Sequence, residues 1–167
     1  MTSPEPPPEF ALEDFLPYRL SVVTNRVSRA FASRYAAAWG LAIPEWRVLA
    51  VVGSFAPLSA AAVCEKTAMD KVKVSRAVAA LARRGLLARM PDPDDRRVQL
   101  LSLAPEGRRV YRGVVPMART IESALTAALS PEERTSLLRA LEKIDACVAS
   151  MDDAAGAGAN RAGCRDR

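Results

Sequence analysis

A mainly helical fold carrying one small β-hairpin is what three observations in this chain predict. Apolar residues recur at helical spacing, as in Leu20, Val23, Val27, Ala30 and Phe31, and again in Leu137, Leu141, Ile144 and Val148. Prolines stand where helices start (Pro17, Pro44, Pro105, Pro131), and glycines where they stop (Gly40, Gly53, Gly85). Between Gly85 and Pro105 the pattern changes: Leu86 to Met90 reads as a strand, Asp92-Pro93-Asp94-Asp95 as a turn, and Leu101 and Leu103 as one face of a return strand.

Taken in order, residues 1–13 hold four prolines and no periodicity, which predicts a disordered arm. Residues 14–43 carry a long helix from about Phe15 to Trp39, closed by Gly40. Its arginines Arg19, Arg26, Arg29 and Arg34 lie largely off the apolar stripe. Residues 44–104 form one lobe. A helix opens at Pro44, with Glu45 suited to the positive helix end, and ends at Gly53. Ser59 caps the next helix, with Leu58 and Val63 as a hydrophobic staple. The following helix starts near Asp70, buries Val74, Val78 and Leu81, and stops at Arg83-Arg84-Gly85. The hairpin completes the lobe. Residues 105–151 hold two further helices, the first with Pro116 inside it, where a kink is expected. The second opens on Ser130-Pro131-Glu132-Glu133, a full capping box. Residues 152–167, rich in glycine and alanine, read as a disordered tail.

Helix, turn, helix and charged hairpin in that order make a winged helix-turn-helix flanked by long helices. The second helix of the motif crowds Lys71, Val72, Lys73, Ser75 and Arg76 into its first turns, the residues a recognition helix presents to the major groove. Lysine, arginine and serine donate to base edges or phosphates, and Val72 suits a thymine methyl. Ser59 joins them at the start of the first helix of the motif. At the hairpin tip Arg96 and Arg97 are placed for a narrow minor groove, with Asp95 beside them to hold one in position. A basic helix face alone is ordinary solvated surface. It is the combination of charge, helix order and basic tip that points to DNA.

Composition narrows the function classes. The net charge of +5 favours an anionic partner. No apolar run reaches membrane-helix length, and the acidic, proline-rich start is unlike a signal peptide, so no membrane association and a cytoplasmic location are expected. The chain has no histidine, which removes Ser-His-Asp and Cys-His chemistry and the usual zinc sites. Cys64, Cys147 and Cys164 form no metal pattern, and there is no phosphate-cradling glycine loop. An enzyme is therefore not expected, nor any metal or cofactor. The long flanking helices carry more apolar surface than one small lobe can cover, which predicts a twofold dimer placing two recognition helices on half-sites about one DNA turn apart.

Leu58 through Arg76, Arg83-Arg84-Gly85-Leu86-Leu87, Asp92-Pro93-Asp94-Asp95-Arg96-Arg97 and Leu103-Ala104-Pro105-Glu106-Gly107 resemble the MarR family, the multiple antibiotic resistance regulators, over about Phe15 to Met151. Asp95-Arg96-Arg97 matches the family's Asp-x-Arg signature, which implies that Asp95 orients Arg97. One departure is Ala104, where the family usually has a capping threonine, so Ser102 or water is expected to cap the next helix. The resemblance implies a homodimeric repressor on a palindromic double-stranded operator, released by a small ligand bound between the dimer helices and the reading lobe. In this chain the candidate wall is Arg19, Asn25, Arg29, Trp46, Arg47 and Tyr111: aromatic rings with arginines that suit an aromatic carboxylate. Tyr18-Arg19-Leu20-Ser21, Asn25-Arg26-Val27-Ser28 and Pro44-Glu45-Trp46-Arg47 are similar to a subgroup that answers to aromatic acids or hydroxycinnamoyl-coenzyme A thioesters. Two other readings stay open: a redox sensor acting through Cys64, and a winged-helix protein-interaction module that binds no DNA.

Overall fold

The computed structural model describes residues 10–162, with side chains through Met151. The ends of the expected N-terminal arm and C-terminal tail, with Cys164, lie outside those residues. The chain divides into two compact units, one up to Arg119 and one from Thr120 onward.

In the first unit a single 3-10 turn (Leu12–Asp14) leads into α1 (Leu16–Trp39), which Gly40 closes in the left-handed conformation at φ 60°. Then come α2 (Ile43–Phe55), β1 (Leu58–Ser59), α3 (Ala60–Thr67), α4 (Lys71–Arg83), β2 (Leu87–Pro91) and β3 (Gln99–Leu103). Helix α5 (Pro105–Thr126) has Pro116 inside it and carries the chain into the second unit, which ends in α6 (Pro131–Ala162). The fold is thus mainly helical with a small antiparallel sheet, as expected.

The sheet has three strands in the order β1-β3-β2, not the two of a simple hairpin. Leu58 pairs with Leu101 and Ser59 with Leu100, so the entry to α3 is fastened to the wing. On the other side β2 pairs with β3 from Leu87↔Leu103 to Pro91↔Gln99.

Three expectations about boundaries need correction. Gly53 does not stop α2; it lies inside it, because the Tyr111 ring packs there and a Cβ would sit 2.7 Å from that ring. Ser102 does not cap α5, since it is held in β3 opposite Ala88. That junction is fastened instead by the Ala104 N–H donating to the Leu86 carbonyl at 3.0 Å and by Arg108 Nη1 donating to the Leu103 carbonyl at 2.6 Å. Helix α6 continues to Ala162, past the expected end at Met151. Its start is as expected: Ser130 Oγ accepts from the Glu133 N–H at 3.2 Å, and Glu133 Oε2 accepts from the Ser130 N–H at 2.8 Å.

The core of the first unit joins every one of its main elements: Tyr35 of α1, Val48, Leu49 and Val52 of α2, Val63 of α3, Val74 and Leu81 of α4, Leu101 of β3 and Val114 of α5 are at most 2% exposed. Full burial of each aliphatic side chain favours folding by roughly 1.5–3 kcal/mol. Beside it runs an aromatic series, Phe31 against Tyr35 at 4.8 Å, Phe31 against Trp46 at 5.5 Å, and Trp46 stacked on Tyr111 at 6.4 Å between centroids. Tyr111 is fixed further by a 3.1 Å hydrogen bond with Ser54. This core is the platform that holds α4 and the wing outward.

Candidate nucleic-acid interface

Helix α4 is sharply two-faced. Val74, Ala77, Val78 and Leu81, spaced three and four apart, are buried, which turns Lys71, Val72, Lys73, Ser75 and Arg76 to solvent. Val72 is 58% exposed, an apolar side chain with no core role. Asp70 caps the helix, its Oδ1 accepting from the Lys73 N–H at 2.8 Å, while Oδ2 lies 2.9 Å from Lys73 Nζ. Those bonds from Lys73 hold the Asp70 carboxyl below its ordinary range. The Lys73 ammonium is therefore tethered at the first turn of the helix, yet mostly exposed. Ser59 is half-buried and caps α3, accepting from the Ala62 N–H at 3.2 Å. Its hydroxyl proton is still available to donate.

The wing tip is stitched by its aspartates. Asp92 Oδ1 accepts from the Asp94 N–H at 2.9 Å, the Asp92 N–H donates to the Val98 carbonyl at 2.9 Å, and the Val98 N–H donates to the Asp95 carbonyl at 2.8 Å. On this turn Asp95 receives Arg97 Nε at 3.0 Å and Nη2 at 3.1 Å, and the Arg97 N–H at 3.0 Å. Those guanidinium bonds, then the backbone bond, push the Asp95 carboxyl below its ordinary range, and the same pairing raises Arg97. The Arg97 side chain remains 91% exposed. An exposed cation at a loop tip, oriented by a carboxylate before any partner arrives, suits insertion into an anionic groove. Arg96 is exposed beside it, without a partner among the ion pairs of the described residues.

The residues expected to line an effector cleft fall in three places. Asn25, Arg29 and Arg47 come together in a cleft of about 910 Å³ between α1, the first turn of α2 and the turn into α4. Arg26, Ser28, Met69, Asp70 and Lys73 share its wall, and Arg47 Nη2 donates to Ser28 Oγ at 3.2 Å. Trp46 and Tyr111 belong instead to the aromatic series beside the core. Arg19 is exposed on α1 and does not line this cleft.

A MarR family model matches residues 39–98, from the last residue of α1 to the turn before β3. The chain is 32% identical over 88 residues to the transcriptional repressor NicR of Pseudomonas putida, a match covering 53% of this chain and 56% of NicR. It thus spans little more than half the length of that relative. A solved structure of a probable transcriptional regulator from Pseudomonas aeruginosa is 31% identical, with a TM-score of 0.69 over 80% of this chain and 99% of that one. The structure of BpsR from Bordetella bronchiseptica is 27% identical, with a TM-score of 0.72 over 82% of this chain and 97% of that one. The segment 39–98 is thus similar to the MarR family. Members of the MarR family are transcriptional regulators rather than enzymes, and the matched segment takes in α2, α3, α4, β2 and the turn that bears Asp95 and Arg97.

Within this lobe the structure adds residues that sequence reasoning missed. Arg89 shares a strand face with buried Leu87 and pairs in register with Leu101. Counting by two from Leu87 would have placed it facing α3 and α4. It lines a smaller, largely apolar cavity of about 480 Å³ with Cys64, Lys71, Ser75 and Val78. Cys64 is half-buried there and Cys147 is exposed on α6; both are free thiols. Arg26 was also readable, one turn from Val22 and Arg29 on the same helix face.

Proposed function

We propose that this chain is a homodimeric repressor that reads a palindromic operator with α4 and the wing, and leaves it when a small aromatic acid or its coenzyme A thioester binds. The observation that carries the reading is the outward set Lys71, Val72, Lys73, Ser75 and Arg76 on one capped helix, together with a pre-oriented Arg97 at the wing tip. Major-groove contacts from α4 specify sequence; Ser59 and Arg96 add phosphate contacts; Arg97 enters the minor groove.

Dimerisation is supported by uncovered apolar side chains. On α6, Leu137, Leu141 and Val148 share a stripe and are 48%, 41% and 50% exposed. On α1, Leu16 and Val23 are 53% and 58% exposed. A second copy of the chain is the partner that covers such faces symmetrically, and it sets two α4 helices on half-sites about one turn of DNA apart.

The cleft with Asn25, Arg26, Arg29, Arg47 and Lys73 supports an anionic effector. An arginine pairs a carboxylate at two points, and the remaining cations suit the phosphates of a coenzyme A thioester. The similarity to BpsR, whose structure concerns regulation of DNA binding by 6-hydroxynicotinic acid, favours the aromatic-acid class. The effector acts by differential affinity for a dimer whose α4 helices are wrongly spaced.

The experiment is a gel-shift titration of the full chain on DNA upstream of its own gene and its neighbours. The complex is challenged with 6-hydroxynicotinic acid, other aromatic acids and their coenzyme A thioesters, with an oxidant in parallel. Release by an aromatic acid or thioester supports the reading. Release by oxidant alone, reversed by thiol, replaces the effector with Cys64. Absence of any specific shift at low salt contradicts DNA reading and favours a protein partner.

A further inference from the structure

We propose that Arg84 is the positioning residue that sets the angle of α4, by tying its C-terminus to the joint between α1 and α2. The inference rests on the DNA-reading role proposed for α4. That joint is three residues long, Gly40, Leu41 and Ala42. Arg84 Nη2 donates to the Trp39 carbonyl at 2.7 Å and Nη1 to the Gly40 carbonyl at 3.0 Å. Nη1 also lies 3.4 Å from Glu45 Oε2, and that same oxygen accepts from the Ala42 N–H at 3.0 Å. One guanidinium therefore engages the last carbonyls of α1, which have no partner within their own helix, and the carboxylate that starts α2. Leu41, 1% exposed, seats the middle of the joint in the core.

Arg84 is itself the C-cap of α4, its N–H donating to the Ala80 carbonyl. The latch and the helix are thus one continuous piece of backbone. Three acceptors in fixed directions select a planar fork over an ammonium. Among the described residues no comparable side-chain tie to another element fixes the other end of α4: the Asp70 bonds to Lys73 stay within the helix and its cap. The buried face of Val74, Ala77, Val78 and Leu81 supplies adhesion, but apolar contact is non-directional. The helix is roughly 20 Å long, so a 10° swing about Arg84 displaces Lys71 by roughly 3 Å. That is more than a hydrogen bond to a base edge tolerates. It matters little to screened attraction between lysine or arginine and phosphates.

The latch therefore governs sequence preference more than DNA affinity in general. The test uses the full chain and two duplexes: one that the parent selects from a random-sequence pool, and a scrambled duplex of equal composition. The ratio of the two Kd values is measured for the parent, Arg84→Lys and Glu45→Gln, with circular dichroism melts alongside. Arg84→Lys is expected to lower the ratio about tenfold, the worth of one good base contact, with scrambled-duplex affinity unchanged. Glu45→Gln, which leaves both carbonyl bonds in place, is expected to lower it about two- to threefold. If Arg84→Lys does not fold, Glu45→Gln decides alone. Folded variants that keep the parent ratio, or that lose affinity for both duplexes equally, overturn the inference. A parent that selects no duplex and shows no salt-dependent binding contradicts the DNA-reading role, and the Arg84 inference fails with it.

Discussion

Asp95 and Arg97 face each other across the wing tip through two near-parallel hydrogen bonds of 3.0 and 3.1 Å, with the Arg97 amide closing a third onto the same carboxylate. The pair is solvent-exposed, so it contributes little to folding. Its consequence is orientation. A guanidinium has five N–H donors, and the two given to Asp95 leave the others free of that carboxylate, on a side chain that is 91% exposed.

Arg97→Ala is therefore expected to weaken operator binding about tenfold or more while leaving the thermal melt within about 0.5 kcal/mol of the parent, as exposed substitutions do. Asp95→Asn, which keeps an acceptor but loses the charge, is expected to lose less. Fluorescence anisotropy on a labelled operator together with a melting curve checks both. An Arg97→Ala protein that binds as tightly as the parent contradicts the wing assignment.

The pH dependence follows from two carboxylates, Asp70 and Asp95, whose folded-state values are lowered by Lys73 and Arg97. A lowered value means the unfolded chain takes up protons first as pH falls. The stabilising effect is thus fully present above about pH 4, the unfolded aspartate value, and is lost as pH falls through the lower folded values. Binding is expected to show no Asp95 titration between about pH 5 and 8. Carboxyl NMR titration checks this: an Asp95 midpoint at or above the free-aspartate value contradicts the pairing.

Much of this is legible in the sequence. The α4 helix declares itself because its cap, its buried spacing and its glycine stop all agree: Asp70, then Val74, Val78 and Leu81, then Gly85 at φ 68°. The α6 capping box is equally local. Strand β1 was not legible, because two residues show no alternation and its partner lies forty residues on. Gly53 is ambiguous in sequence because a glycine has two reasons to exist, backbone freedom or space for a neighbour, and only the position of Tyr111 tells which. Trp46 and Tyr111 were drawn to the cleft by residue type, which fits a pocket wall and a packed aromatic series equally. Arg29 and Arg47 come together only because α1 and α2 border the same cleft, a tertiary fact that no periodicity carries.

Gly107 is a test of packing at the wing base. A Cβ there would run into the Leu86 carbonyl, which is already held by the Ala104 N–H. Gly107→Ala is expected to destabilise the protein by about 1–3 kcal/mol, as forced overpacking does, read as a lower urea midpoint. Gly53→Ala, set against the movable Tyr111 ring, is expected to cost less and to weaken the Ser54–Tyr111 bond. A Gly107→Ala protein as stable as the parent contradicts the close approach of α5 to the β2 entry.

The proposed dimer face is tested by placing charge on the α6 stripe. Leu137→Asp with Leu141→Asp is expected to shift the chain from dimer to monomer in sedimentation velocity and to weaken operator binding at least tenfold, since one half-site contact is lost. A parent that sediments as a monomer at micromolar concentration contradicts the dimer.

The measurement closest to the central claim is a salt series: operator Kd for the full chain and for Arg97→Ala between about 50 and 200 mM salt. Each phosphate-neutralising cation adds roughly 0.9 to the slope of log affinity against log salt. The account predicts steep, sequence-dependent binding by the parent, and a shallower, weaker line for Arg97→Ala. A flat line for the parent, or no preference for any duplex, would contradict the reading of α4 and the wing as a DNA interface.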